Sequence, residues 1–299
     1  MNQVLIEHFL TAQSFATDSK FSRWLRKPWK YATGMLWTYA VNRLFPEAIA
    51  TVTAVLFTGD RIFIPLPAGL DLYLTGVKSH VSELRLTRFL LSYLKPGDVV
   101  VDAGAHLGYY TLIMAHCVTD KGQVVAFEPT KNIGSYLIHN TRLLPQVNVE
   151  QQMVGITDGE AAFTEYPILY SEFNSSLPDT QTILKGKTRL ITSARLDTYC
   201  TQHELVPTFL KIDVEGNELN TLKGAEQILE SITALAIEIR KPDYDRLYAP
   251  VDTFLREKQF LPNRITDEGK LTTLSDGLGS YINGIREESD NIVFQKLPS

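Results

Sequence analysis

Short apolar runs recur along the last two thirds of the chain, and most of them precede a segment whose apolar residues have helical spacing. Runs this short and rich in Val and Ile predict buried strands. Alternation of strand and helix is typical of a parallel sheet with helices on both faces. We therefore predict an α/β fold with the strands DVVVDAG, QVVAFEP, VNVEQQMVGI, TFLKIDVEG and ITALAIEIR.

The alternation changes in two places. A polar insertion, roughly residues 157–195, separates the third strand from the fourth. Near the end of the chain, FLPNRIT and NIVFQK are separated by a glycine-bearing loop. These two runs predict antiparallel strands that close one edge of the sheet.

The region before the first strand has a different pattern. Residues 1 to about 47 have helical spacing on either side of Pro28, which is expected to separate two helices. TVTAVLF and RIFIPL flank a short turn at Gly59 and predict a β-hairpin. A helix over about residues 81–94 should follow and end before a Pro-Gly pair.

Composition places this pattern in an ordinary globular protein of 299 residues, with 44% hydrophobic and 21% charged residues. Cys117 and Cys200 do not make a disulfide framework, and a cytoplasmic location is expected. The opening residues lack the basic start of a signal peptide, and apolar runs fall short of the roughly 20 residues that span a bilayer. A longer parent protein is equally compatible with this sequence.

Charge is distributed unevenly. The formal net charge is -5, but residues 19–45 hold six basic and no acidic residues, which leaves a balance of -11 elsewhere. This balance argues against general nucleic-acid binding. All three tryptophans, Trp24, Trp29 and Trp37, are interleaved with these basic residues. The segment suits a helical cap with packed aromatics, a lid over an anionic or peptide-like substrate, or a membrane-surface contact.

Ligands of open α/β sheets bind at the carboxyl ends of the strands, where this chain has a glycine loop. Gly104 and Gly108 are spaced G-x-x-x-G, whereas a dinucleotide-binding loop has G-x-G-x-x-G. Asp102 would repel a pyrophosphate but suits the cationic part of S-adenosylmethionine, which has no phosphate. Glu128 ends the next strand and could bind ribose hydroxyls, as it could in NAD. Helix capping by Asp102 and a solvated Glu128 are the simpler alternatives.

The motifs VVDAGAHLGYYT, VVAFEP, VGITDGEAAF, RLDT, FLKIDVEGNE and AIEIR, in this order, resemble the FkbM-type S-adenosylmethionine-dependent methyltransferases over about residues 70–296. The resemblance implies a class I, Rossmann-like fold, a seven-stranded sheet with a reversed final hairpin. It also implies O-methylation. His106 stands where many members carry Asn, and both side chains can donate a hydrogen bond. We divide the chain into two parts. Residues 1–69 form an amino-terminal extension that could be a lid over the substrate, and residues 70–299 form the methyltransferase domain.

The predicted cofactor is S-adenosylmethionine, held by residues at the strand ends and by one acid of the preceding helix. A position on a solvated helix face explains the acid at residue 83 nearly as well as cofactor binding does. The predicted cofactor-binding residues are Glu83, Asp102, Gly104, Ala105, His106, Gly108, Glu128, Val154, Gly155 and Asp213.

Methyl transfer is an in-line displacement that depends mainly on positioning. A hydroxyl acceptor also needs a base, whereas a carboxylate acceptor does not. The candidate catalytic acids are Asp213, Glu215 and Glu238, and Glu215 could instead be a helix N-terminal acid. Asp213 and Glu238 offer two oxygen ligands without a clear third, so no metal is predicted.

These observations predict an O-methyltransferase that acts on a hydroxyl or carboxyl of a small molecule or peptide in natural-product or glycan biosynthesis. A non-catalytic binding module is the alternative from another class, and an NAD-dependent oxidoreductase is disfavoured by the missing G-x-G. No nucleic-acid partner and no stable membrane insertion are expected. The sequence favours no particular oligomeric state.

Overall fold

An eight-stranded sheet forms the centre of the part of the chain that this computed structural model describes, residues 2–37, 44, 49–166 and 186–297. A two-stranded and a three-stranded sheet lie beside it. The strands are β1 (Ala50–Val55), β2 (Arg61–Leu66), β3 (Val99–Ala103), β4 (Gln123–Phe127), β5 (Val147–Glu150), β6 (Met153–Val154), β7 (Gly159–Glu165), β8 (Lys187–Ala194), β9 (Phe209–Ile212), β10 (Ala234–Arg240), β11 (Phe260–Ile265), β12 (Leu271–Thr273) and β13 (Ser289–Lys296).

Helices cover both faces of the central sheet, as the alternating pattern predicts. The α-helices are α1 (Asn2–Thr17), α2 (Lys20–Arg26), α3 (Pro28–Met35), α4 (Leu70–Thr75), α5 (Val81–Tyr93), α6 (Tyr109–Val118), α7 (Lys131–Thr141), α8 (Leu196–Gln202), α9 (Glu218–Lys223), α10 (Ala249–Glu257) and α11 (Leu278–Gly284). Among the described residues, no helix is both long and apolar enough to cross a membrane.

The strand order in the central sheet is β12-β11-β13-β10-β9-β3-β4-β5. The five strands from β10 to β5 are parallel, and β13 runs antiparallel to both of its neighbours, β10 and β11. This arrangement confirms the predicted class I α/β sheet with a reversed strand from the end of the chain. The short strand β12 extends the edge beyond the seven strands that were predicted.

Two apolar cores lie on opposite faces of this sheet. Neighbouring residues of β3 show the division, because Val100 packs in one core with helices α5 and α6, and Val101 packs in the other. Successive side chains of a strand point to opposite faces, so a strand buried on both sides needs an unbroken apolar run. The run VVV before Asp102 meets this requirement.

The predicted strand VNVEQQMVGI is wrong as a single element. The chain leaves the central sheet after Glu150, and β6 pairs instead with β8. Strands β7 and β8, an antiparallel pair, come from the insertion that composition described only as polar. Their outer side chains are exposed, so the apolar content that marks a buried strand is missing. Residues 167–185 of the insertion lie outside the described residues.

The amino-terminal region contains the predicted hairpin and a helix boundary at Pro28, the first residue of α3. A second boundary, which was not predicted, separates α1 from α2, where Ser19 accepts a hydrogen bond from the Ser22 amide at 3.2 Å. Helix α1 packs on the hairpin through Phe9, whose ring meets Phe57 edge-on at 5.3 Å. Residues 38–43 and 45–48 of the predicted helical segment lie outside the described residues.

Candidate active site

A cavity of about 480 Å³ lies at the carboxyl ends of β3, β4, β9 and β10. This is the edge at which parallel sheets bind ligands, and the volume is in the range of small-molecule sites. Nine predicted site residues line it, namely Glu83, Gly104, Ala105, His106, Glu128, Val154, Asp213, Glu215 and Glu238. Three others, Asp102, Gly108 and Gly155, lie behind the lining.

The glycine loop joins the ends of three strands. The amides of Gly104 and Ala105 both donate to the carbonyl oxygen of Phe127 in β4 at 3.0 Å. Gly104 has φ +82°, and a Cβ there would lie 1.8 Å from the carbonyl oxygen of Asp213, after β9. Only glycine permits this conformation together with such a close approach. The glycine at this position is thus explained by strand packing rather than by a phosphate.

Glu128 ends β4 with a carboxylate that is held in a fixed orientation. One oxygen accepts hydrogen bonds from the amide and hydroxyl of Thr130, at 3.1 and 2.6 Å, and the other from the amide of His106 at 3.1 Å. Burial raises the pKa of Glu128, and these donors oppose the increase. A carboxylate oxygen has two lone pairs, so Glu128 can also accept from a diol in the cavity.

Asp102 differs most from its predicted role. Its side chain is fully buried, accepts a hydrogen bond from the Thr111 hydroxyl at 2.7 Å, and lies 3.6 Å from the ammonium of Lys211. The carboxylate therefore connects β3 to α6 and faces a lysine instead of the cavity. The predicted direct contact with a cationic ligand does not fit this orientation, because Lys211 already compensates the charge.

Lys211 is the main residue that the sequence interpretation missed. Its ammonium donates to Asp213 at 3.2 Å and lies 5.1 Å above the ring of Tyr110. On the same ring, the Lys78 ammonium lies at 5.2 Å, and it donates to Glu83 at 3.1 Å. A lysine in the middle of the apolar run FLKI was the available signal, because buried lysines are rare unless they are paired.

These charges set the protonation states around the loop. Burial would raise the pKa of Asp213, but the nearby Lys211 and Lys78 lower it below its usual range. Burial, assisted by Lys78, lowers the pKa of His106 to about 4. Asp213 is therefore an anion at neutral pH, and the His106 imidazole is neutral.

Glu238, in β10, lines the cavity and has a pKa suited to proton transfer. Burial and the negative charges of Asp213 and Glu83 raise its pKa to about 7. The Ser289 hydroxyl in β13 donates to one of its oxygens at 2.6 Å and opposes this increase. A carboxylate with a pKa near 7 can accept a proton efficiently at physiological pH.

Glu215 lies at a turn, as predicted, because Gly216 and the following residues lead into α9. Its backbone has φ +50°, an uncommon value for a residue with a side chain, and Gly216 has φ +99°. The carboxylate pairs with Arg240 at 3.1 Å, and Arg240 also pairs with Asp243 at 3.1 Å. Burial and neighbouring acids hold the pKa of Glu215 well above its usual range, against the effect of Arg240.

Glu218 is the first residue of α9 and stabilises the start of that helix. Its side chain is buried and accepts a hydrogen bond from the amide of Gly216 at 3.0 Å, which stabilises the turn before α9. Burial raises its pKa to about 7. Val154 and Gly155 are positioned by the same region, since Asn217 donates to the Val154 carbonyl at 2.9 Å.

The lining residues fit S-adenosylmethionine. Glu128 could accept from its ribose hydroxyls, the anions Asp213 and Glu83 could bind its ammonium, and Lys78 could bind its carboxylate. The Asp213 carboxylate in the lining would disfavour the pyrophosphate of a dinucleotide, whereas Asp102, on which the prediction from the sequence rested, does not line the cavity. Across the described ranges, no group of three His, Cys, Asp or Glu side chains is placed to hold a metal ion.

Comparison with known sequences agrees with this chemistry. The profile of the methyltransferase FkbM domain matches residues 102–262. The hexuronic acid methyltransferase AglP of Haloferax volcanii is 27% identical over 160 residues. That stretch covers 52% of this chain and 62% of AglP, which is less than two thirds of the relative.

Solved structures with a similar course of the chain are also methyltransferases. A SAM-dependent O-methyltransferase from Thermotoga maritima has a TM-score of 0.42 and 14% identity, and the match covers 87% of this chain and 82% of that one. An rRNA methylase from Streptococcus thermophilus has a TM-score of 0.41 and 13% identity, with coverage of 71% and 94%.

Proposed function

Since the chain belongs to the FkbM family of S-adenosylmethionine-dependent methyltransferases, we propose that it methylates a hydroxyl group of a sugar acid or related small molecule. Family membership settles the choice of enzyme class, a methyltransferase rather than an oxidoreductase or a binding module. The acceptor, the bond formed and the role of each residue belong to the proposal.

The bound cofactor supplies an electrophilic methyl group on a sulfonium. In our proposal, Glu128 holds the ribose, while Asp213 and Glu83 hold the amino group of the methionine part. Lys211 keeps Asp213 ionised and fixes its position, because its ammonium lies between Asp213 and Asp102. Positioning of this kind provides most of the rate acceleration in a displacement between two bound molecules.

The proposal of a hydroxyl acceptor rests on one difference: Glu238 is available in the cavity as a base, whereas Arg240 is already held in ion pairs. Glu238 lines the cavity, has a pKa of about 7, and can take the proton that a hydroxyl loses as it is methylated. Arg240, which could bind a carboxylate acceptor, already pairs with Glu215 and Asp243. The site thus offers a base more readily than it offers a cation for the acceptor.

The sugar part of the proposal rests on AglP, whose name states that it methylates hexuronic acid. We infer that this chain acts in glycan or natural-product biosynthesis, on an acceptor with several hydroxyls. The wall of the cavity includes Ala68 and Gly69, at the end of the amino-terminal extension. We propose that this end of the extension, at Ala68 and Gly69, and the methyltransferase domain share the acceptor site. A cytoplasmic enzyme remains our expectation from the cysteine content.

The test is methylation of a panel of acceptors with isotope-labelled S-adenosylmethionine. The panel contains glycosides of a hexuronic acid, the same glycosides with the carboxylate esterified, and neutral hexose glycosides. We expect label in the first two as an ether that survives mild alkali, because an ester would be hydrolysed. Label that is lost in alkali, or that requires a free carboxylate, would contradict the hydroxyl assignment.

A variant pair separates the base from general effects. Glu238→Gln removes the proton acceptor while keeping the side-chain shape, and we expect a loss of at least about 100-fold in kcat. Glu257→Gln makes the same change at an exposed position in α10 and should be without effect. Cofactor binding, measured by calorimetry, should be similar in both variants.

A further inference from the structure

Helices α2 and α3 present a row of large apolar side chains to solvent. We name the set the aromatic face, and its members with their exposed fractions are Phe21 (69%), Trp24 (47%), Leu25 (57%), Trp29 (83%) and Leu36 (62%). Several large apolar side chains exposed on two neighbouring helices are typical of an interaction surface. The aromatic face therefore needs a partner.

The spacing of these residues places them on one side of each helix. Phe21, Trp24 and Leu25 are three and four residues apart in α2, and Phe21 and Trp24 stack at 6.3 Å. Trp29 and Leu36 are seven residues apart, so they occupy one side of α3 and its last turn.

The inner side of α3 combines the buried Tyr31 with two half-buried lysines. Lys30 extends inward and donates to the carbonyl oxygen of Tyr73 at 3.2 Å, and Lys27 donates to that of Leu74 at 3.4 Å. The predicted cap, with aromatics packed on the domain and charges in water, is wrong for these two lysines and for the aromatic face, but it is correct for Tyr31. Lys27 and Lys30 anchor α3 to α4, and the aromatic face is directed outward.

Charge around the aromatic face selects an anionic partner. Lys20 is exposed beside it, Arg26 is exposed and pairs with Asp18 at 3.2 Å, and residues 19–45 contain no acidic residue. The remainder of the chain is strongly acidic and would be repelled by an anionic surface. The basic residues beside the aromatic face therefore favour an orientation in which this face approaches an anionic surface.

We propose that the aromatic face docks on the surface of a bilayer that contains anionic lipids. Tryptophan is enriched at the membrane interface, and basic residues beside an apolar strip are typical of interfacial helices. Helix α3 packs on α4, whose residues Asp71 and Leu72 line the cavity. Docking would thus bring the cavity to within about two helix diameters of the bilayer surface.

The test uses the full chain with two kinds of vesicle, equal parts phosphatidylglycerol and phosphatidylcholine, or phosphatidylcholine alone. All three tryptophans lie at residues 24–37, so intrinsic emission reports this segment alone. We expect co-flotation and a blue shift with the anionic vesicles, and binding at least about tenfold weaker to phosphatidylcholine. No flotation with either vesicle would overturn the proposal.

The variant Phe21→Ser with Leu25→Ser removes apolar surface and keeps every tryptophan as a reporter. We expect it to bind anionic vesicles at least about tenfold more weakly. The control, Leu143→Ser with Val206→Ser, changes residues that are also highly exposed, at 80% and 65%, and should bind as the unaltered chain does. Both variants should keep cofactor affinity and thermal stability.

Two outcomes would decide against a bilayer. Equal flotation of the two double variants would show that the aromatic face does not contact lipid. A tryptophan shift with polyglutamate but not with anionic vesicles would indicate an acidic protein partner instead. Methylation of a water-dissolved acceptor by the Phe21→Ser, Leu25→Ser variant should remain unchanged, so the proposal fails or succeeds independently of the proposed reaction.

Discussion

The hydroxyl of Ser289 provides a means of changing the pKa of the proposed base, Glu238, without substituting Glu238 itself. It donates to Glu238 at 2.6 Å and stabilises the ionised form of that carboxyl group, which lowers the pKa. Ser289→Ala removes this hydrogen bond and leaves burial and the neighbouring acids unopposed. The pKa of Glu238 should therefore rise in the variant.

A hydrogen bond to a charged group contributes about 1.5 kcal/mol, and about 1.4 kcal/mol corresponds to one pKa unit. The pKa of Glu238 should thus move from about 7 to roughly one unit higher in Ser289→Ala. The base works only when ionised, so activity is present above the pKa and is lost as the pH falls through it. At pH 7 the ionised fraction falls from about half to about one tenth, and kcat/KM should decrease about fivefold.

The assay is kcat/KM for methyl transfer as a function of pH, with saturating cofactor. We expect the rising limb of Ser289→Ala to shift to higher pH and to approach the level of the unaltered enzyme under alkaline conditions. Ser275→Ala, at an exposed position, is the control and should not shift. A uniform loss at every pH, or an unshifted midpoint, would show that ionisation of Glu238 does not control the rate.

Three further predictions concern the loop and the charges around it. Gly104→Ala should lower the unfolding free energy by at least about 3 kcal/mol in a denaturant titration, because its Cβ would meet backbone, whereas Gly159→Ala has open space and should cost less. Glu128→Gln should weaken S-adenosylmethionine binding about tenfold by calorimetry, and an unchanged affinity would contradict its ribose role. Lys211→Met should destabilise the protein by about 3 kcal/mol, and adding Asp102→Asn should restore part of that loss.

Strand ends were predictable because an apolar run that stops at a polar residue marks the end of a buried parallel strand. Asp213 and Glu128 are such residues, and the order of strands in the sheet brings them to one cavity. A tight turn at Gly104 was predictable from the sequence. Its close approach to the backbone of Asp213 was not, because that contact depends on how two strands pack side by side.

Orientation of side chains was the part that the sequence could not determine. Asp102 ends a strand as expected, yet it points toward Lys211, because a buried carboxylate is stabilised by the nearest buried cation. Lys211 is 109 residues further along the chain, and the direction of its side chain depends on the packing of Tyr110. The direction of Trp24 and Trp29 likewise depends on tertiary contacts, because helical spacing alone does not say which side faces the protein.

The hydrogen bond from Ser289 to Glu238 has a consequence for the boundaries of the enzyme. Ser289 lies beyond residues 102–262, the part that the family profile covers, and Lys78 lies before it. A chimera that received only residues 102–262 would contain the cofactor loop. It would lack Ser289 and Lys78, which change the pKa values of the acids in the site. Exchange of specificity between family members would therefore require transfer of the segments before and after residues 102–262 together with those residues.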